Sequence, residues 1–264
     1  MHFRNDKFMI SCPARSGSSM LCTLIHSHPQ AICHHEVFAF DGQPTVMGSY
    51  ARKRRDDPEF ERRMRTYRDE RPEAFLYDIV FNPQGRRCVG FKFKTDEALQ
   101  PAYRGILDLI VNDRDIKIVH LVRRNVLDQY ISHRVVEQTG KTFVREGSEK
   151  PEPQPFKIDT GHLIAYVRDV RERQQSAFDV YREHRGLVVH YEDIVTPESG
   201  ALFELQTFLE LDHRQLSTTM MKIIRNSNDL VLNLGDVRAA LRRETGIADT
   251  GALLASPDSV IKPG

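Results

Sequence analysis

The run Ser11-Cys-Pro-Ala-Arg-Ser-Gly-Ser-Ser19 joins residue types that suit one task, holding an anion. It falls between a predicted strand and a predicted helix, where backbone N–H groups and the positive end of the helix dipole converge. Gly17 lets the backbone approach a phosphate closely, Ser16, Ser18 and Ser19 offer hydroxyl donors, and Arg15 brings a permanent charge with forked geometry. The nucleotide-triphosphate loop G-x-x-x-x-G-K-[ST] does not occur, and no acidic partner for a magnesium ion stands out, so ATP chemistry is the weaker reading. An isolated R-S-G-S string would serve equally as a plain turn between a strand and a helix. A second element downstream favours the anion site.

That element is Arg123-Arg-Asn-Val-Leu-Asp-Gln-Tyr-Ile-Ser132, which follows the apolar run Lys117 to Val122. Arg124 stands at the strand end, Ser132 falls two turns into the next helix, and Val126, Leu127, Tyr130 and Ile131 form that helix's apolar face. At this point the sequence resembles the sulfotransferases that use 3′-phosphoadenosine-5′-phosphosulfate (PAPS). Their first motif is a strand followed by P-[KR]-[ST]-G-[ST]-[ST], and their second is a strand followed by R-[ND]-x6-S. Both are matched in order. The stretch GLVVHYEDIV near residue 190 is similar to the family's late strand, and a helix with F-L-x-L-D follows it. The bacterial carbohydrate enzymes of the nodulation-factor type are the most similar in character, sharing R-R-N-x-L, a Pro-rich loop and an Arg/Asn-rich stretch like Ile224 to Asp229. The departures are Ala14 between Pro13 and Arg15, Arg in place of the usual Lys, and Val126 where many members have proline.

The resemblance implies that Arg15, Ser16, Gly17, Ser18 and Ser19 hold the 5′-phosphosulfate, while Arg124 and Ser132, and Arg225 further on, take the 3′-phosphate. PAPS would be the donor, the 3′,5′-bisphosphate PAP the product, and no metal is required. Sulfuryl transfer needs an in-line arrangement, charge stabilisation on the bridging and equatorial oxygens, and a base for the acceptor hydroxyl. The resemblance points to Glu36 as that base, because related enzymes place a catalytic Glu after an H-P segment like His28-Pro29. His34 and His35 are local rivals, and a structural or surface carboxylate is the plain alternative. Other members use a His after a K-x-H strand, but Phe91-Lys-Phe-Lys-Thr95 has none. Lys92, ahead of Lys94, is the expected contact for the transferred group, with Arg15 stabilising the leaving phosphate; strand alternation puts both lysines on one face. Arg225 at a helix C-terminus would equally serve the dipole.

Around these residues, strand-like runs at Lys7–Cys12, Ala31–Cys33, Arg87–Phe93, Lys117–Val122 and Gly186–Tyr191 alternate with helix-like segments. That pattern predicts an α/β protein, a single domain over 1–264 with a P-loop-like, mostly parallel central sheet flanked by helices. KIVHLV, VGFKF and FMISC are apolar enough to be its middle strands. Ser18 or Ser19 is the expected cap of a first helix whose apolar face is Met20, Leu21, Leu24 and Ile25. A charged helical insert is expected at about 50–72, whose arginines either form a salt-bridged surface or meet an anionic or sugar acceptor. A long, Pro-rich loop at about 140–157 is a lid or an ordinary surface loop, and helices are expected at Asp159–His184, Pro197–Leu209 and Leu216–Ile224. His120 reads as a satisfied core histidine; Tyr191, Glu192 and Asp193 read as structural.

The 264 residues carry 38 Lys plus Arg against 37 Asp plus Glu, a formal net charge of +1, so no whole-molecule field attracts nucleic acid or an anionic membrane. The segment Met1 to Lys7 is polar, the apolar run after it is too short for a signal peptide, and no later stretch would span a bilayer, which predicts a cytoplasmic protein. Cys12, Cys22, Cys33 and Cys88 lack zinc-site spacing and read as reduced, buried thiols. The expected function is transfer of a sulfuryl group to a hydroxyl of a small acceptor, a carbohydrate or glycolipid, with a homodimer as a further option. A P-loop-like nucleotide kinase or a non-catalytic nucleotide- or glycan-binding protein are the alternatives.

Overall fold

The computed structural model describes residues 6–39, 42–98, 100–224 and 226–245. Along the chain lie β1 (Asp6–Cys12), α1 (Ser18–Ser27), β2 (Ala31–Glu36), α2 (Ser49–Asp56), α3 (Phe60–Glu70), α4 (Pro72–Phe75, running on into a π turn), β3 (Cys88–Lys94) and α5 (Thr95–Ala98). There follow α6 (Arg104–Asn112), β4 (Ile116–Val122), α7 (Val126–Thr139), β5 (Val144–Arg145), α8 (Thr160–Val180), β6 (Gly186–His190), α9 (Tyr191–Ile194), α10 (Ala201–Phe208), β7 (Met220–Met221) and α11 (Leu234–Thr245). They cluster into two compact units, one comprising the described residues of 6–122 and 174–218, the other those of 123–173 and 219–245.

The first unit is built on a parallel sheet of five strands in the order β2-β3-β1-β4-β6. The three apolar runs expected at its centre, β3, β1 and β4, are there, and every residue of β4 is buried. Period-two alternation divides their side chains between two cores. Met9, Val89, Phe91, Phe93 and Ile118 enter one, where Phe38 packs edge-on against Phe75 and Phe91. Phe8, Ile10, Val119 and Leu121 enter the other beneath α1, with Leu21, Cys22 and Ile25. Gly90 lies on that second face, where a Cβ would come within 2.3 Å of the Phe8 carbonyl oxygen. Lys92 and Lys94 share this face, and so look towards α1. The direction of the chain reverses beside β1, with β2 and β3 on one side and β4 and β6 on the other. The carboxyl end of β1 is therefore the switch point at which open α/β sheets bind ligands.

The charged insert is a helical pair, α2 and α3, as its composition suggested. Its Arg68 is not a surface residue: the side chain is 2% exposed and donates to the carbonyls of Ala39 (3.1 Å) and Gly42 (3.0 Å), with Val37 at 3.4 Å. It clamps the segment that leaves β2. His120 is a buried core residue 4.4 Å from the Phe178 ring, and burial pulls its pKa down to about 4. The four cysteines are free and buried.

The second unit packs α7 against α8 and α11 through Leu127, Ile131, Leu163, Val167, Val237 and Leu241. It departs from expectation in two places: α11 was not expected from the sequence, and the helix predicted at Leu216–Ile224 is extended chain, in which Met220–Met221 pairs antiparallel with Val144–Arg145. Thr218, Thr219, Ile223 and Ile224 are β-branched, and the apolar residues are adjacent instead of spaced for one helical face, so the strand wins. The loop at 140–157 thus contains β5, and Phe156 bridges to Val231. The first helix is a smaller correction. Its N-cap is Gly17, with no side-chain cap, Ser18 is its first helical residue, and Cys22 takes the buried position expected of Met20.

Candidate functional site

The loop between β1 and α1 turns through two residues with positive φ, Arg15 (61°) and Gly17 (89°). Glycine adopts that region freely, whereas arginine does so at a cost of about 1–2 kcal/mol. Ser16 between them is completely buried, and its Oγ has no hydrogen bond of ordinary geometry among the described residues beyond its approach to the Cys12 thiol. Burial pushes that thiol up to about 11, so it remains neutral. Behind the loop, the Tyr191 ring lies so close to Gly17 that an added Cβ would stand 2.3 Å from Cδ2 and 2.6 Å from Cε2. Tyr191, read from sequence as structural, packs against the loop between β1 and α1, and nothing in its spacing signals that contact. A buried hydroxyl seeking a partner, a backbone with no room for a Cβ and the N-terminal end of α1 together suit a compact oxyanion.

Glu36 reaches the same end of the sheet through a β-bulge. The pairing of β2 with β3 runs His34 to Phe91 and then skips to Glu36 with Lys92, so His35 is the extra residue. Without the bulge, His35 would sit opposite Lys92; with it, the carboxylate does. Lys92 Nζ is 2.9 Å from Glu36 Oε1 and 2.9 Å from Ser19 Oγ, and Lys94 Nζ is 3.4 Å from the same Oε1. Glu36, Lys92 and Ser19, three residues singled out in sequence, are therefore one contiguous group. Burial raises the pKa of Glu36, but Lys92 and Lys94 outweigh it and hold the carboxyl below its ordinary value. Lys92 is 3% exposed; burial disfavours its ammonium, and the Glu36 carboxylate beside it favours the charged form. His34, the local rival, is fully buried, its Nδ1 accepts from the Met47 amide, and burial pulls its pKa down to about 3.

In the second unit, Asn125 caps α7 by accepting from the Asp128 amide at 2.9 Å, which accounts for the Asn that follows Arg124. Val126 occupies the first helical position, where proline is tolerated, so its substitution is neutral for the helix. Asp128 gathers Arg123 (3.4 Å), Lys222 (3.5 Å) and the Ser227 hydroxyl around the start of α7. Sequence reading missed this hub. Arg124 precedes the cap residue Asn125, and Ser132 lies within α7. Arg225 lies outside the described residues.

No protein-family model matches the chain. Among curated proteins it is similar to Nodulation protein H of Rhizobium tropici, 20% identical over 204 residues that cover 77% of this chain and 75% of the relative. Among solved structures it is similar to the sulfotransferase domain from the curacin biosynthetic pathway, with a TM-score of 0.51 and 16% identity over 80% of this chain and 76% of that one. A sulfotransferase from Alicyclobacillus acidocaldarius superposes with a TM-score of 0.48 and 17% identity over 91% of this chain and 95% of that one. The parallel α/β architecture expected from the sequence is the fold of the curacin-pathway domain.

Proposed function

We propose that the chain is a sulfotransferase that transfers the sulfuryl group of PAPS to a hydroxyl of a carbohydrate or glycolipid, with Glu36 as the base, a reading supported by its likeness to Nodulation protein H and by its fold. The observation that carries this reading is the contiguous group Glu36, Lys92 and Ser19 beside the phosphate loop. When bound, PAPS supplies an activated sulfuryl group on a phosphate leaving group; the chain's own residues supply position, charge and a proton acceptor. Arg15, Ser16, Gly17, Ser18 and Ser19 are assigned to the 5′-phosphosulfate, and Arg124 and Ser132, with Arg225, to the 3′-phosphate. Lys92 is already at the loop through Ser19, so an anion seated there draws it away from Glu36. Losing one of its two cations raises the proton affinity of Glu36, which makes it a better base only when the donor is present. Both lysines approach Oε1, and Oε2 is assigned to the acceptor hydroxyl.

The acceptor class rests on the resemblance, and the exposed Arg52, Arg55 and Arg62 of α2 and α3 are offered as its contacts. No helix among the described residues is long and apolar enough to cross a membrane. Incubation with radiolabelled PAPS and a panel of oligosaccharides, glycolipid headgroups, phenols and steroids tests the reading. Labelled sulfate is expected on the sugar hydroxyls. Labelling confined to phenols or steroids would overturn the acceptor class, and phosphate transfer from ATP with none from PAPS would overturn the activity.

A further inference from the structure

The two lysines beside Glu36 are not equivalent. Lys92 has Ser19 and Glu36 as partners, whereas Lys94 lies 3.4 Å from Glu36 Oε1 and 2.8 Å from Glu97 Oε1. Glu97 belongs to α5, the short turn that follows β3 without a break. Its side chain is nine-tenths buried, and its second oxygen, Oε2, has no hydrogen-bond partner among the described residues. A buried carboxylate with one oxygen on Lys94 and the other on nothing has a single strong interaction, and that interaction fixes Lys94. We infer that Glu97 is a positioning residue for the base: it anchors Lys94, and Lys94 in turn fixes Glu36 Oε1, leaving Lys92 as the cation free to follow the transferred group. This rests on the assignment of Glu36 as base.

The charged groups facing this chain of contacts are Lys92 and Lys94 from β3 and Asp96 and Glu97 from α5, while the thiols of Cys12 and Cys22 lie near Lys92. Electrostatics then gives opposite signs for two substitutions. Glu97→Gln removes an anion near Glu36 and releases Lys94 to lean wholly on it, so the affinity of Glu36 for a proton falls. Lys94→Met removes a cation, so that affinity rises.

The test is a carboxyl-carbon NMR titration of Glu36 in wild type, Glu97→Gln and Lys94→Met, assigned by its loss in Glu36→Gln and read beside the pH profile of kcat. The expected result is a Glu36 midpoint moved down in Glu97→Gln and up in Lys94→Met. The acid limb of kcat should move with it, turnover of Glu97→Gln should fall about tenfold with KM for PAPS unchanged, and Glu97→Asp should recover part of the loss. A merely structural perturbation does not move one titration in two directions. An unmoved midpoint in Glu97→Gln, or shifts of the same sign in both variants, would overturn the inference whatever the activity. Full turnover of Glu36→Gln would instead overturn the base assignment, so the two failures are told apart.

Discussion

Glu36→Gln is expected to lower kcat by about 10²–10⁴-fold while leaving the fold and the affinity for PAP intact, because a positioned base contributes roughly that factor. The amide keeps the shape and one hydrogen bond to Lys92 but accepts no proton. The substitution also removes the anion that Lys92 and Lys94 share, so PAP, itself anionic, should bind as tightly as before or more tightly. Steady-state kinetics beside calorimetry separates the two effects. Loss of binding together with turnover would assign Glu36 to the architecture of the loop instead.

Gly17→Ala is expected to abolish measurable donor binding and to lower Tm. A φ of 89° costs a non-glycine residue about 1–3 kcal/mol, and the new methyl would overlap the Tyr191 ring at 2.3 Å. Gly85→Ala is the control: its φ is 80°, but nothing lies within 4 Å of the added carbon. Both variants should lose stability through backbone strain, about 2–4 °C of Tm per kcal/mol at this chain length. Only Gly17→Ala should lose PAP binding, and adding Tyr191→Ala to it should relieve the overlap without relieving the strain. Equal PAP affinity in the two glycine variants would mean that Tyr191 does not wall the phosphate loop.

The strands, the three at the centre of the sheet and the tight turn between β1 and α1 were legible because their signals are local. Apolar runs of six or seven residues report burial on both faces, and a Ser/Gly run between such a strand and a helical pattern reports the turn that joins them. The contacts that make the site specific are not local. The bulge at His35 decides whether a histidine or a carboxylate faces Lys92, and no residue type announces it. Arg68 looked like one more charge in a charged helix, yet it is buried, because three carbonyls of the segment after Glu36 converge on it. The Tyr191 wall and the Asp128 hub join residues far apart in sequence. The expected helix at Leu216–Ile224 failed for a local reason that was available, since its β-branched residues favour strand. Helix α11 was missed although its signal was available, since its buried Val237, Ala240 and Leu241 follow helical spacing.

The donor assignment is tested most directly by calorimetric titration of the wild-type protein and Arg124→Ala with PAP, AMP and ATP. The account predicts that wild type binds PAP at least about tenfold more tightly than AMP or ATP, and that Arg124→Ala erases that preference, since a charge-assisted contact to the 3′-phosphate contributes about 1.5–3 kcal/mol. Binding of ATP equal to or tighter than PAP, or a preference for PAP that survives in Arg124→Ala, would contradict it.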